Sequence, residues 1–221
     1  MDGSVYDTIW AGRPVGLTHR LVAGQVPHGS RVLDVGSAGG YVAEYLRDQC
    51  NCSLVCVDHN LSSVEQARAR GFEARQVDLD TEAISGDGFD VVLFADVLEH
   101  LRDPTETLRQ AHGATRAVVS LPNVAHWSGR AQLLAGRFPK NPSGLFDATH
   151  LQFFTRRTMG ELVTGAAWTV AKEQYVGDRL PGQPWVRGLH RLSQPAARQF
   201  PSLFAYQVVL TLEPMATAAT T

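Results

Sequence analysis

The sequence has only three cysteines, Cys50, Cys52 and Cys56, and all of them lie within one short segment. Their C-x-C-x3-C spacing has no second pair of ligands that would complete a structural zinc site. The odd number favours reduced thiols, with Cys56 buried in a strand. Reduced thiols predict a cytoplasmic protein.

Long apolar runs and a strong net charge are also missing. No run approaches the ~20 residues of a membrane helix, and residues 1–4 have neither the basic flank nor the apolar region of a secretory signal. The formal net charge is −2, so no overall basic field attracts the chain to nucleic acid or to an anionic membrane. We therefore expect neither a nucleic-acid partner nor a membrane partner.

The composition that is present is globular: 221 residues, 44% hydrophobic and 19% charged. Short apolar segments alternate with segments whose apolar residues recur at helical spacing. The predicted strands are 31–35, 53–57, 72–77, 89–94, 116–120, 168–175 and 203–212. The predicted helices are 41–48, 61–70, one that Pro104 opens, and 158–166. This alternation predicts an α/β domain with a doubly wound, mostly parallel sheet.

Composition also divides the chain into segments. Residues 1–30 are predicted to be an N-terminal helical segment, 31–213 the main domain, and 214–221 a disordered tail. After the fifth strand, residues 123–150 are rich in glycine, proline and aromatic residues and are too long for an ordinary connection. We expect them to form a lid over a ligand at the carboxyl ends of the strands, and residues 177–201 to form a second insertion.

A glycine-rich turn, Gly36 to Gly40, joins the first strand to the first helix. Such a turn fits dinucleotides, phosphates and S-adenosylmethionine. A triphosphate-binding loop needs a lysine here, and a dinucleotide turn needs glycines where this chain has Ala38 and Tyr41. Asp58 and Asp78 close the next two strands, so they are expected to converge on the same edge, where they could accept hydrogen bonds from ribose hydroxyls and an adenine amine.

Four segments resemble the successive motifs of class I S-adenosylmethionine-dependent methyltransferases: VLDVGSAGGYVAEYL, VDHN, VDLD and FDVVLFADVLEHLRDP. The resemblance implies a Rossmann-like domain that binds S-adenosylmethionine. The residues it assigns to the cofactor are Asp34, Gly36, Ala38, Gly40, Asp58, His59, Asp78, Leu79 and Ala95. Ala38 replaces the middle glycine of the usual Gly-x-Gly-x-Gly turn.

The segment after the fifth strand is similar to the branch that contains the methionine-biosynthesis W proteins and bacterial methyltransferases of sugars and natural products. This similarity rests on SLPNVAHWSGRAQLLAGRF and FDATHLQFFTRRTM. It implies that Asn123, His126, Trp127 and the His150 region sit over the methyl donor. We expect Asn123, Trp127 and Phe146 to contact a small-molecule acceptor. His100, His126 and His150 are the candidate bases, because imidazole titrates near neutral pH; the alternative roles are helix capping and lid packing.

The spacing of Asp96, Glu99 and His100 places them on one helical face if a helix begins there. With His150, the pattern is similar to the metal-binding residues of ubiquinone-biosynthesis and small-RNA O-methyltransferases, with Asp96 in place of a glutamate. The resemblance therefore implies a divalent metal ion held by Asp96, Glu99, His100 and His150. The alternative is that Glu99 and His100 orient the acceptor or cap the helix.

Together these features predict methyl transfer from S-adenosylmethionine to an oxygen of a small polar metabolite, sugar or natural-product intermediate. Two alternatives stay open. The chain could methylate nitrogen, or it could bind S-adenosylmethionine without turnover as the partner of a biosynthetic enzyme.

Overall fold

The computed structural model describes residues 16–177 and 187–216. Its strands are β1 (Arg31–Val35), β2 (Ser53–Asp58), β3 (Glu73–Gln76), β4 (Val91–Ala95), β5 (Arg116–Pro122), β6 (Trp168–Gly177) and β7 (Ala205–Pro214). Its α-helices are α1 (Leu17–Ala23), α2 (Tyr41–Cys50), α3 (Leu61–Ala69), α4 (Pro104–Gln110), α5 (Trp127–Leu134), α6 (Arg156–Gly165), α7 (Arg187–Gln199) and α8 (Pro201–Phe204). A 3₁₀ turn covers Leu98–His100.

The strands form one sheet in the order β3-β2-β1-β4-β5-β7-β6. The first five strands are parallel to one another, and β7 runs antiparallel to both β5 and β6. The chain therefore winds outwards in one direction from β1 to β3 and in the other from β4 onwards. This confirms the doubly wound, mostly parallel sheet and puts the switch point, where ligands bind in such sheets, between β1 and β4.

Both faces of the sheet are covered by apolar layers. One layer includes Phe94, Leu98 and Trp168, and the other includes Val32, Leu46 and Leu93. The indole Nε1 of the buried Trp168 donates to the carbonyl of Leu108 at 3.0 Å, so this large side chain is fixed without an unpaired polar atom. Burial on both faces explains why β4 is a continuous apolar run and why β1 is apolar apart from Arg31 and Asp34.

Several boundaries differ from the sequence prediction. The third strand ends at Gln76, so Asp78 lies two residues beyond it, and the fourth begins at Val91. The seventh begins at 205 because Pro201 opens a short helix, and it includes Pro214, which was predicted to lie in the tail. Cys56 is buried in β2 and all three thiols are free, as predicted.

Other predictions lie partly outside the described residues. The N-terminal helical segment is represented by α1, while residues 1–15 are not described. The predicted second insertion contains α7, and residues 178–186 of it are not described. Across the described ranges, no helix is both long and apolar enough to cross a membrane.

Candidate functional site

The turn between β1 and α2 is a tight left-handed turn at the carboxyl end of the sheet. Gly36, Ala38 and Gly40 all have positive φ, at 67°, 46° and 79°. A Cβ atom built on Gly36 would lie 2.4 Å from Cγ2 of Val97, so the backbone passes too close for any side chain. Ala38 does carry a side chain, and its left-handed conformation costs about 1–2 kcal/mol.

Four of the five amides of this turn already donate to acceptors inside the protein. The N–H groups of Gly36 and Ser37 donate to the carbonyl of Val57, and that of Gly40 donates to Ser37. The Ala38 N–H donates to Oδ2 of Asp58 at 2.9 Å. A phosphate group binds to such turns through free amides, so this turn is poorly suited to a phosphate.

Asp58 connects the turn to the end of β2. Its second oxygen, Oδ1, accepts from the Asn60 amide at 2.8 Å, and the side chain is buried. Each carboxylate oxygen can accept a further hydrogen bond. The side chain of the next residue, His59, is 74% exposed, and its Nδ1 lies 3.5 Å from Oδ1 of Asp58.

Asp34 lies at the base of the same turn, near the end of β1. Burial and the neighbouring charge of Asp58 raise the pKa of Asp34 to about 7. Its Oδ2 is buried and has no hydrogen-bond partner. The raised pKa favours the protonated carboxyl group, which can donate as well as accept.

The remaining residues assigned to the cofactor lie along the same edge. Asp78 is exposed after β3, where one of its oxygens accepts from the Asp80 amide at 3.1 Å. Leu79 packs against the apolar layer, and Ala95 is the last residue of β4. Hence the predicted cofactor residues lie along the carboxyl edge of the sheet, from the end of β3 across β2 and β1 to the end of β4. Their roles in binding the cofactor stay predictions.

Three of the predicted reaction-centre residues meet just beyond β4. Glu99, His100 and His150 each offer one ligand atom, and these atoms lie within 4.8 Å of one another. Glu99 is 1% exposed, and both its Oε2 and Nδ1 of His150 are buried without a partner. Burial raises the pKa of Glu99 well above its usual value and lowers the pKa of both histidines.

His100 also has two links to its surroundings that the sequence analysis missed. Its Nδ1 lies 3.1 Å from Oγ1 of Thr149, which donates to Oδ1 of the buried Asp147 at 2.7 Å. The same Nδ1 also lies 3.3 Å from the backbone carbonyl oxygen of Thr149. The D-x-T spacing, which suits a turn in which an aspartate accepts from the residue two positions later, was the available signal.

Asp96 does not join this cluster, so the prediction of one helical face was wrong. It has a φ of 60° and precedes a 3₁₀ turn of only three residues, so helical spacing does not apply. Its Oδ1 accepts from Ser120 Oγ at 2.6 Å and from Gln207 Nε2 at 2.5 Å. These bonds hold Asp96 against β5 and β7 instead.

The predicted lid begins with two buried residues, Asn123 and His126, whose side chains bond to the backbone. Asn123 is buried, and its Nδ2 donates to the carbonyl of Ala205 at 2.8 Å. His126 is 1% exposed and caps α5 by accepting from the Ser128 amide, while burial lowers its pKa to about 4. This placement supports structural roles for both and does not support His126 as a base or Asn123 as a substrate contact.

The residues that follow the lid pack against the cluster. The amides of Leu151 and Gln152 both donate to the carbonyl of Glu99 at 2.9 Å. Trp127 is partly exposed at the start of α5, and Phe146 is buried. Phe153, which the sequence analysis did not select, contacts His150 with ring centroids 6.2 Å apart. The segment from 123 to 150 is thus fixed at both ends, and its closure over a ligand stays a prediction.

Comparisons with known proteins agree with this architecture. The family model for methionine biosynthesis protein MetW matches residues 17–193. No curated protein matches the chain.

Solved structures with the same fold include an S-adenosylmethionine-dependent methyltransferase from Mesorhizobium loti. The two sequences are 13% identical over 90% of this chain and 98% of that one, with a TM-score of 0.62. A TehB-like methyltransferase from Corynebacterium glutamicum is 18% identical over 96% and 97%, with a TM-score of 0.60. The [4+2]-cyclase SpnF is 16% identical over 90% and 81%, with a TM-score of 0.62.

Proposed function

This chain belongs to the MetW family and has the class I methyltransferase fold, and we propose that it transfers a methyl group from S-adenosylmethionine to an oxygen of a small molecule. The acceptor class is a metabolite, a sugar or a natural-product intermediate. The observation that carries the proposal is the turn at Gly36 to Gly40, in which every amide except that of Gly39 donates inside the protein, while the buried carboxyl groups of Asp34 and Asp58 lie beside it.

The residues of the turn fit S-adenosylmethionine better than a dinucleotide. S-adenosylmethionine has no phosphate, so it does not need the free amides that a pyrophosphate requires. Asp58 has acceptor capacity left for ribose hydroxyls. The unpartnered Oδ2 of Asp34 supplies a further polar atom below the turn. When bound, S-adenosylmethionine supplies a methyl group on a positively charged sulfur.

One of His100 and His150 is proposed to take the single proton of the acceptor hydroxyl as its oxygen bonds to the methyl group, and the other is proposed to be the orienting partner. Burial lowers the pKa of both, which keeps the imidazoles neutral at pH 7 and therefore able to accept a proton. The Thr149 hydroxyl, held by Asp147, orients the His100 ring. Losing a general base reduces the rate by about 10²–10⁴-fold.

The same cluster supports a second version, in which Glu99, His100 and His150 hold a divalent ion. Two nitrogens and one carboxylate oxygen form a set that suits several transition metals. A divalent ion would give Oε2 of Glu99, which has no hydrogen-bond partner, a positively charged partner. The ion would also favour the ionised form of an acceptor oxygen. Asp96 is not part of this version, because its carboxylate is held elsewhere.

The first experiment tests the cofactor by calorimetry with S-adenosylhomocysteine. Saturable binding to the wild-type protein and to Asp48→Asn, an exposed helix position, is expected. Binding to Asp58→Ala is expected to be much weaker. If the wild-type protein does not bind, the proposed function is wrong.

The second experiment measures formation of S-adenosylhomocysteine with a panel of hydroxyl and amine acceptors, with and without a chelator. Chelator sensitivity together with an inactive Glu99→Gln supports the ion. Insensitivity with an inactive His100→Ala and an active Glu99→Gln supports the base. Turnover only with amines indicates nitrogen methylation, and cofactor binding with no turnover on any acceptor indicates a non-catalytic partner.

A further inference from the structure

A row of aromatic rings leads from the surface of the lid to the histidine pair. The centroid of Phe138 lies 5.0 Å from that of Phe146 and 5.2 Å from that of Phe153. Phe153 contacts His150 at 6.2 Å, and His150 contacts His100 at 4.8 Å. We call these five rings the aromatic strip.

The two ends of the strip have opposite chemistry. At the outer end, Phe138 is 54% exposed and Phe153 is also exposed, so apolar ring surface faces water, which is unfavourable. At the inner end, Oε2 of Glu99 and Nδ1 of His150 are buried without a partner, which is also unfavourable. A ligand that relieves both costs must join a polar group to an apolar body.

We infer that the aromatic strip is the acceptor site and that its ligand is an amphipathic alcohol or phenol. The hydroxyl lies at Glu99 and His150, where it satisfies the unpartnered polar atoms. The flat apolar body lies against Phe138 and Phe153, because aromatic rings pack well against other rings in offset or edge-to-face contacts. Its role as an acceptor site rests on the proposed function.

This site disfavours a sugar. A sugar carries hydroxyl groups around its whole ring, and each one placed against phenylalanine would lose its hydrogen bonds to water without gaining a partner. The inference therefore narrows the acceptor from small polar molecules in general to those with one polar end and an apolar body of about ring size.

The test measures binding of 2-naphthol to the full-length protein through the fluorescence of the naphthol. We expect saturable binding that is tighter than that of naphthalene, which lacks the hydroxyl, and no saturable binding of glucose in a competition assay. Phe138→Ser and Phe153→Ser are expected to weaken binding of 2-naphthol by about 2- to 12-fold each, the usual range for an aromatic pair.

Two further variants control for general effects. Leu134→Ser changes a side chain that is 90% exposed and lies outside the strip, so binding should not change. Phe153→Leu keeps an apolar side chain and should bind more tightly than Phe153→Ser. The inference is overturned if 2-naphthol does not bind, if naphthalene binds equally well, or if both serine variants bind like the wild-type protein.

Calorimetry with S-adenosylhomocysteine on the same samples separates this inference from the proposed function. If S-adenosylhomocysteine binds and 2-naphthol does not, the aromatic strip is not the acceptor site, and the proposed function stands. If 2-naphthol binds at the strip and S-adenosylhomocysteine does not bind at all, the ligand site stands, and the proposed function is wrong.

Discussion

Replacing Asp34 with asparagine should stabilise the protein at neutral and higher pH. In the folded protein the pKa of Asp34 is raised from 3.8 to about 7, first by burial and then by the charge of Asp58. The unfolded chain has no such burial, so its carboxyl group keeps a pKa of about 3.9. The folded state therefore binds the proton more tightly than the unfolded state does.

The sign follows from linkage. The contribution of Asp34 to stability is largest below the unfolded pKa and is lost as the pH rises towards the folded pKa. A shift of about three units at about 1.36 kcal/mol per unit corresponds to about 4 kcal/mol between pH 4 and pH 7. The asparagine side chain is similar in shape to that of aspartate and is uncharged at every pH, so the variant avoids this loss.

The assay is urea unfolding of the wild-type protein and Asp34→Asn at intervals from pH 4 to pH 8. The difference in the free energy of unfolding should grow in favour of the variant up to about pH 7 and then level off. Poor packing of the new amide would shift the whole curve but would not change its slope. Asp48→Asn, at an exposed position on α2, is the matched control for the substitution itself. A difference that does not vary with pH would refute the reasoning.

Three further predictions concern the same edge of the sheet. Asp58→Ala should weaken binding of S-adenosylhomocysteine by about 1.5–3 kcal/mol in calorimetry, the usual contribution of hydrogen bonds to a charged group; unchanged affinity would rule out its contact with the ribose. Gly36→Ala should lower the melting temperature more than Gly71→Ala does. Both glycines have positive φ, but a Cβ atom at Gly36 would lie 2.4 Å from Val97, whereas a Cβ atom at Gly71 would have no neighbour within 4 Å. Equal shifts would show that the contact with Val97 is easily relieved. His126→Ala should cost at least about 1 kcal/mol of stability through the lost helix cap, with a further loss from the cavity left by this buried side chain, and should leave turnover unchanged. In contrast, His100→Ala should lower turnover at least about 100-fold; the reverse pattern would make His126 the base.

The contact with Val97 also changes what a larger side chain at Gly36 would do. In a glycine turn that binds a nucleotide, a larger side chain at Gly36 is expected to block the ligand and leave the fold intact. The structure places Val97, a core residue, directly against this position. A substitution there disturbs the core as well as the ligand site, so loss of binding in such a variant must be compared with its melting temperature.

The sequence by itself determined the parallel part of the sheet and the edge on which the site lies. Strands such as Val91–Ala95 are apolar along their whole length, because helices cover both faces of a parallel sheet. A side chain at the end of such a strand has to lie at the carboxyl edge of the sheet, so Asp58 could be placed from its position in the chain. These features depend on local patterns, and local patterns are visible in one sequence.

Only the tertiary structure decided which polar residues meet. Asp96 and Glu99 are three positions apart and chemically similar, yet one bonds to Ser120 and Gln207 while the other is buried beside His100 and His150. Likewise His126 caps a helix, while the unselected Phe153 reaches the histidine pair. The direction of a side chain in an irregular segment depends on neighbours that are distant in the sequence, and the spacing of residues along the chain carries no information about those neighbours.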